Sequence, residues 1–265
     1  MLYTPEEASF TIDMALIAVV GLGNWGTAIA RLWLLEGHKV TGWTIEQEVY
    51  ESITMSETNE KYLPNHPVPG LDATMHLSEA VEGAEIVVLA VPSSVILDVM
   101  EDVLPHLQPG HVLLDLAKGL APGKRLISEA IHTRLKEEGK TNPLAVLTGP
   151  TIAPEAAGGV MTTALVASED QAIAQRLAQT LSTPSFILHP ASDPVGAELW
   201  GAYKNVVALA CGLVDGLKQV GDLGGDNLKA AIFMSGFKEG CLLLAELGAR
   251  AEVAFGPAGL GDMYV

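Results

Sequence analysis

Basic residues are scarce in this chain. Its 265 residues include 15 lysines and arginines against 32 aspartates and glutamates, which gives a formal net charge of −17. Nucleic acids and anionic membranes bind proteins through basic surfaces, so this balance argues against both as partners. An anionic substrate would need local cations rather than the global field, which makes each lysine in an apolar setting informative.

Cysteine is also scarce, since Cys211 and Cys241 are the only two. They cannot form a disulfide framework, and no short cysteine or histidine spacing predicts a metal site, so we expect no metal. The chain has no uninterrupted apolar run of about 18 residues, the length that a membrane span requires. Residues 1–13 carry acids where a secretory signal would be basic. These absences favour a cytoplasmic protein with no integral membrane segment.

Short apolar runs alternate along the chain with stretches of helical periodicity. The runs predict strands at residues 15–21, 38–43, 84–92, 111–119, 144–150, 161–168 and 184–190, and three-to-four spacing predicts helices within 93–107 and 123–139. Continuously apolar strands separated by amphipathic helices are typical of a mostly parallel sheet covered on both faces. The expected fold class is therefore α/β.

Three glycines lie between the first predicted strand and a helical stretch. Gly21, Gly23 and Gly26 form the pattern GxGxxG, which in this setting is a dinucleotide fingerprint. The first glycine permits a tight turn, the second admits the pyrophosphate, and the third allows close helix-to-strand packing, while the helix N-terminus supplies free N–H groups. The alternative interpretation is an ordinary glycine-rich turn.

A change of character near residues 192–194 predicts a domain boundary. After Pro194 the chain is helical and apolar, with no strand pattern to its end. We expect an N-terminal extension at 1–13, a dinucleotide-binding domain at 14–192 and a helical substrate and catalytic domain at 193–265.

The choice between NAD and NADP depends on the end of the second strand. An acid there favours NAD through the ribose 2′-OH, and an arginine favours the 2′-phosphate of NADP. Thr44 is neither, and Glu46, the nearest acid, has an equally plain interpretation as a solvated loop charge. The cofactor is therefore NAD or NADP.

Two lysines lie in unusual settings. Lys118 follows a predicted strand, where ligands bind in open α/β sheets, although it could simply be a lysine whose amine reaches solvent. Lys204 lies in a helix that is apolar on nearly every face, and buried lysines are rare unless paired or functional. Such an amine suits proton transfer near neutral pH, and the alternative is an amine that reaches water.

Taken together, these residues and several further stretches resemble the bacterial type of NAD(P)-dependent sn-glycerol-3-phosphate dehydrogenase. The resemblance begins at Met14 and rests on GLGNWGTAIA, NEKYLPNHPVPGL, IVVLAVPS, AKGL, LTGPTIAPE, VGAELWGAYKNVVALACGLVDGL and GPAGLGDMYV. It implies a Rossmann-like domain followed by an all-helical domain. It also implies interconversion of dihydroxyacetone phosphate and sn-glycerol 3-phosphate by hydride transfer with NAD(P)H, which feeds glycerophospholipid synthesis, in a cytoplasmic homodimer.

The resemblance also implies roles for individual residues. Lys204, Asp262 and Lys118 are expected in catalysis. Substrate contacts are expected from Lys118, Gly149, Thr151, Lys204, Asn205 and Asp262, and cofactor contacts from Gly21, Gly23, Asn24, Trp25, Gly26, Lys118 and Ala153. On its own, an aspartate such as Asp262 is more often a turn or capping residue, so its functional interpretation depends on the resemblance.

The chain departs from the family pattern at several positions. The family continues past the GLGD motif into an arginine and asparagine motif that binds the substrate phosphate, whereas this sequence stops at Val265. The resemblance therefore implies that the helical domain at 193–265 is incomplete at its C-terminus, in a longer protein. Thr44 and Ser235 stand where the family often has basic residues, and Thr151 where serine is usual. Two other functions therefore stay open: a related 3-hydroxyacid dehydrogenase, and a non-catalytic nucleotide-binding module.

Overall fold

The computed structural model describes residues 14–221 and 224–265, so the predicted extension at 1–13 lies outside the described residues. The strands are β1 Leu16–Val20, β2 Lys39–Trp43, β3 Asp72–Thr74, β4 Ile86–Leu89, β5 Val112–Asp115, β6 Leu144–Thr148, β7 Thr162–Ala167 and β8 Phe186–Ala191. The helices are α1 Asn24–Leu35, α2 Gln47–Ser56, α3 Leu77–Val81, α4 Ile96–Val103, α5 Ile127–Glu137, α6 Ala153–Ala157, α7 Gln171–Leu181, α8 Pro194–Val220, α9 Asp226–Glu246, α10 Ala251–Ala254 and α11 Asp262–Tyr264.

The eight strands form one sheet in the order β3-β2-β1-β4-β5-β6-β7-β8. Neighbouring strands are parallel except β6 and β7, so β7 and β8 run opposite to the other six. The predicted mostly parallel sheet is confirmed, and each of the seven predicted runs overlaps one strand. The short edge strand β3 was not predicted, because Asp72–Thr74 has no apolar run and pairs with β2 alone.

The central strands are buried on both faces, as their unbroken apolar runs require. Residues of β1 illustrate this: Val19 packs in one core cluster with Ile29 and Trp33 of α1, and Val20 packs in a second cluster with Met100 of α4. Each fully buried side chain of this size stabilises the fold by about 1.5–3 kcal/mol. The two clusters fasten helices to opposite faces of the sheet.

The helical region begins at a well-capped N-terminus. Asp193 accepts a hydrogen bond from the backbone N–H of Gly196 at 2.9 Å, and its second oxygen accepts one from the N–H of Arg250 at 2.7 Å. Pro194 occupies the first helical position, where its missing N–H costs nothing. Asp193 therefore both starts α8 and ties it to the chain before α10.

The helix α8 packs directly on the sheet but is not covered all round. Trp200 shares a cluster with Val146 of β6, while Leu209 and Leu213 are 77% and 65% exposed. An apolar pattern on nearly every face predicts a buried helix, but in the described residues α8 is buried on one side and keeps exposed apolar side chains on another. In residues 14–221 and 224–265, no helix is both long and apolar enough to cross a membrane.

Candidate active site

The glycine turn after β1 has a different physical requirement at each glycine. Gly21 has φ +111°, a backbone conformation that side chains disfavour. A Cβ at Gly26 would lie 1.9 Å from the carbonyl oxygen of Gly21, so the helix can approach the turn only without a side chain there. A Cβ at Gly23 would meet no atom within 4 Å, which leaves open space over the turn.

The first turn of α1 faces this open space with unsatisfied backbone donors. Gly23 is the N-cap residue and has no side chain to accept from the first N–H groups. Free N–H groups and the helix dipole together favour an anion at this position. The turn is thus built to receive a pyrophosphate, which supports binding of a dinucleotide.

A cleft of about 800 Å³ extends from this turn along the carboxyl ends of the strands. Asn24 and Trp25 line it, and the Trp25 ring packs edge-on against Phe186 with centroids 6.0 Å apart. Much of the remaining lining comes from the ends of β2, β4 and β5: Trp43, Thr44, Ile45, Glu46, Ala90, Val91, Pro92, Ser93, Leu116, Ala117 and Lys118. The cleft therefore ends at one of the two lysines singled out in the sequence.

Two lysines converge on one buried aspartate. Lys118 Nζ donates to Asp262 Oδ2 at 2.8 Å, and Lys204 Nζ donates to Asp262 Oδ1. Lys118 Nζ also donates to the carbonyl oxygen of Gly149 at 2.9 Å. The Asp262 side chain has no exposed surface, whereas those of Lys118 and Lys204 are 27% and 16% exposed. The two amines are therefore fixed by hydrogen bonds within the protein and remain accessible to a ligand from solvent.

Separate parts of the fold bring these groups together. Lys118 follows β5, Lys204 lies on α8, and Asp262 opens α11 after a π-helical turn at Pro257–Gly261. That turn packs tightly, because a Cβ at Gly259 would lie 2.2 Å from the carbonyl oxygen of Ala254. Glycine at this position therefore allows the close packing of the turn, and the Asp262 carboxylate that follows is buried.

The electrostatics of this cluster are locally positive in an acidic protein. Burial lowers the pKa of Lys118, the carboxylate of Asp262 acts in the opposite direction, and the neighbouring Lys204 lowers that pKa further. Two amines on one carboxylate leave an excess of positive charge when both are protonated. This is the local cation pair that the sequence required for an anionic substrate.

Comparison with known proteins shows the family to which the chain belongs. Residues 16–174 match the family described as NAD-dependent glycerol-3-phosphate dehydrogenase N-terminus, and residues 193–265 match its C-terminus. The chain is 41% identical over 251 residues to a glycerol-3-phosphate dehydrogenase [NAD(P)+] from Rhodospirillum rubrum, covering 94% of this chain and 69% of that protein. The chain belongs to the NAD-dependent glycerol-3-phosphate dehydrogenase family.

Solved structures agree with this membership. The glycerol-3-phosphate dehydrogenase of Coxiella burnetii is 33% identical and superposes with a TM-score of 0.87 over 95% of this chain and 75% of that one. The enzyme from Saccharomyces cerevisiae is 27% identical, with a TM-score of 0.80 over 95% and 77% of the two chains. The resemblance stated from the sequence, the fold class and the NAD(P)-dependent oxidoreductase class are thereby confirmed.

The structure brings five of the twelve predicted site residues of this dehydrogenase chain to the lining of the cleft: Gly21, Gly23, Asn24, Trp25 and Lys118. Lys204, Asp262 and Gly149 contact Lys118 or each other in the amine cluster. Thr151 lies beside the amine cluster, where its hydroxyl donates to the Gly149 carbonyl oxygen at 3.2 Å. Asn205 is exposed on α8. Ala153 is buried in a small cluster with Ala28 and Leu63 below Trp25, and Gly26 is likewise buried. The ligand contacts of all the predicted site residues stay predictions.

Several cleft residues were not singled out in the sequence. Tyr62 lines the cleft and donates to Glu46 at 2.8 Å, and Asp98 and Asp102 of the α4 region line its outer part. The stretches that carry Tyr62 and Ser93 were noticed only as family motifs. Ser93, Asp98 and Asp102 follow β4, and they line the cleft because β4 lies next to β1 in the sheet.

Proposed function

We propose that this chain interconverts dihydroxyacetone phosphate and sn-glycerol 3-phosphate, with hydride transfer to and from NAD(P)H. The observation that carries the proposal is the convergence of Lys118 and Lys204 on buried Asp262 at the end of the fingerprint cleft. A protein that only sensed a nucleotide would need no such amine pair, and burying a carboxylate is costly without one. The geometry therefore favours a catalyst over a binding module.

The residues present fit a nicotinamide dinucleotide. The open space above Gly23, the uncapped first turn of α1 and the adjoining cleft supply room and donors for a pyrophosphate and its two nucleosides. Gly21, Asn24 and Trp25 would hold the cofactor there. Gly26 allows α1 to pack against the turn, and Ala153 belongs to the cluster against which Trp25 packs. When bound, the nicotinamide supplies or accepts the hydride.

Lys204 is the proposed acid and base. Its ammonium group stabilises the negative charge that develops on the substrate carbonyl oxygen and donates a proton from Nζ to that oxygen. In the reverse direction the neutral amine takes the proton from the hydroxyl. Asp262 accepts from Nζ and so orients the amine and balances its charge.

The remaining predicted residues are proposed to position the substrate. Lys118 adds a second positive charge that attracts the phosphorylated triose, and it is held by Asp262 and the Gly149 carbonyl oxygen. Thr151 lies beside this cluster through its hydrogen bond to the Gly149 carbonyl oxygen, and Asn205 follows Lys204 on α8; both would supply polar contacts to the substrate.

The wider setting follows from the same proposal. We infer a division into a dinucleotide-binding domain at 14–192 and a helical domain at 193–265, a cytoplasmic location, and a role in supplying glycerophospholipid synthesis. Exposed apolar side chains on α8, including Leu209 and Leu213, support a homodimer. Light scattering coupled to size-exclusion chromatography tests it, and a monomer at all working concentrations would refute it.

The activity is tested by following the absorbance of the reduced nicotinamide with dihydroxyacetone phosphate. We expect turnover by the unmodified protein and a loss of roughly 10²–10⁴-fold in kcat for Lys204→Ala, the range expected for a missing general acid. Lys218→Ala is the matched control, because Lys218 lies on the same helix, roughly 20 Å along its axis from Lys204, and pairs with exposed Asp226. Its turnover should match the unmodified protein.

Two results would count against the proposal. Absence of turnover with both NADH and NADPH would refute the activity, and full turnover by Lys204→Ala would remove that residue from its role. A panel of 3-hydroxyacids and related carbonyl compounds separates the related dehydrogenases, since faster turnover of any of them than of dihydroxyacetone phosphate would reassign the substrate.

A further inference from the structure

The end of β2 lies directly beside the glycine turn. Val20 and Trp43 are partners in the parallel register of β1 and β2, and the N–H of Gly21 donates to the Trp43 carbonyl oxygen at 3.0 Å. In a fold of this kind, the ribose of the adenosine half lies over the end of the second strand. Thr44, Ile45 and Glu46 are therefore the residues that a 2′-hydroxyl or a 2′-phosphate would meet.

Glu46 is held in the cleft as a carboxylate. One of its oxygens accepts from the Tyr62 hydroxyl at 2.8 Å, and the other accepts from Lys61 Nζ. These two hydrogen bonds lower the pKa of Glu46, so the group is ionised at neutral pH. Its side chain is 32% exposed and thus open to a ligand.

In the described part of the cleft, no cation near Glu46 is free to hold a phosphate. Among the cleft-lining residues that the structure describes, Lys118 is the single cation, and it follows β5. Two strands, β1 and β4, separate β2 from β5, which puts three strand spacings, roughly 14 Å, between them. Lys61 lies nearer, but two carboxylates, Glu46 and Glu48, already share its charge.

The other two residues at this strand end offer nothing for a phosphate either. Thr44 is buried, with 4% of its surface exposed, and its hydroxyl accepts from the backbone N–H of Glu46. Ile45 is 73% exposed and apolar. A dianionic 2′-phosphate would thus lose its hydration beside a carboxylate without gaining an ion pair.

We propose that this protein is selective for NAD(H) over NADP(H), and that Glu46 is the residue that sets this selectivity. The carboxylate accepts hydrogen bonds from the ribose hydroxyls of NAD(H) and repels the 2′-phosphate of NADP(H). The inference rests on the proposed function only for the class of cofactor, and it adds which member of that class is used.

Direct binding tests this selectivity without turnover. Titration of the protein with NADH and with NADPH, followed by nicotinamide fluorescence, should give a dissociation constant for NADH at least about tenfold lower, which corresponds to about 1.4 kcal/mol. Equal affinities, or tighter NADPH binding, would overturn the proposal.

Three variants assign the selectivity to a residue. Glu46→Gln should bring the two dissociation constants at least about threefold closer together, because it removes the repelling charge and keeps an acceptor. Glu48→Gln is the matched control, since it removes another Lys61 partner that does not line the cleft, and its ratio should equal that of the unmodified protein. Ile45→Arg with Glu46→Gln should reverse the preference.

The outcomes separate this proposal from the proposed function. Selective binding of NADH without reduction of dihydroxyacetone phosphate would refute the activity and leave the selectivity standing. An unchanged ratio in Glu46→Gln would refute the role of Glu46, and an equal change in Glu48→Gln would assign the effect to general charge.

Discussion

Replacing Gly26 by alanine should damage the fold, whereas the same replacement at Gly23 should damage cofactor binding alone. The new Cβ at Gly26 would lie 1.9 Å from the Gly21 carbonyl oxygen, about 1.5 Å short of the ordinary contact distance of 3.4 Å. A backbone oxygen cannot rotate away as a side chain can, so α1 must shift from the turn. The Ala90 Cβ, 3.1 Å away, blocks one direction of that shift.

The loss in free energy of unfolding can be estimated from other substitutions that overpack a protein interior. Inserting a methyl group into a close-packed site costs about 1–3 kcal/mol and occasionally more, and a contact with backbone belongs at the upper end. For a chain of this size, each kcal/mol lowers Tm by roughly 2–4 °C, so a cost of about 3 kcal/mol should lower the Tm of Gly26→Ala by about 6–12 °C.

Gly23→Ala is the matched comparison within the same turn. Its Cβ would meet nothing within 4 Å, and its φ of −72° suits alanine. The substitution should leave Tm unchanged or raise it slightly, because alanine restricts the unfolded chain by about 0.4–1 kcal/mol. Its methyl group would instead occupy the open space above the turn and weaken binding of NADH.

Thermal unfolding by circular dichroism, together with fluorescence titration of NADH, measures both effects on the same samples. An unchanged Tm for Gly26→Ala would refute the packing argument. Undiminished NADH affinity in Gly23→Ala would show that the space above the turn does not receive the cofactor.

Two further predictions concern the buried acids Asp115 and Glu198. Asp115 is 1% exposed, and burial raises its pKa well above the ordinary value of 3.8, so the folded state binds its proton more tightly than the unfolded state. Stability should therefore fall as pH rises above about 4, and Asp115→Asn should be the more stable protein at about pH 8 but not near pH 4, as measured by urea unfolding. A gain that is independent of pH would contradict this reasoning. Glu198 on α8 accepts from the backbone N–H of Ser128 at 3.0 Å at the start of α5, so Glu198→Ala should cost about 1–3 kcal/mol in urea unfolding by leaving that donor unpaired. Glu198→Gln keeps an acceptor and should cost less; equal losses in the two variants would refute the role of this hydrogen bond.

Local pattern was sufficient to predict most of the sheet. Strands such as β1, β4 and β5 are buried on both faces, and that environment demands unbroken apolar runs, which are visible without a structure. The strand β3 is held by backbone pairing with β2 and needs no apolar run, so nothing in its three residues predicts it. The reversed direction of β7 is likewise a property of how the connection from β6 folds.

The glycine turn was also predictable in its details, because its chemistry depends on neighbours in the chain. Gly21 and Gly26 are five residues apart and touch each other through the backbone, so spacing alone indicates the packing. The amine cluster has the opposite character. Asp262 is 144 residues from Lys118 and 58 from Lys204, and its own surroundings predict a turn or a cap.

The fold class, the nucleotide turn and the two lysines in apolar settings can be predicted from the chain alone, since each depends on the periodicity or spacing of nearby residues. The shared buried carboxylate of the two lysines and the position of Glu46 in the cleft beside Tyr62 are visible only in the folded structure. Those are contacts between distant segments, and they depend on strand order and helix docking, which create charge environments that no single stretch of the chain contains.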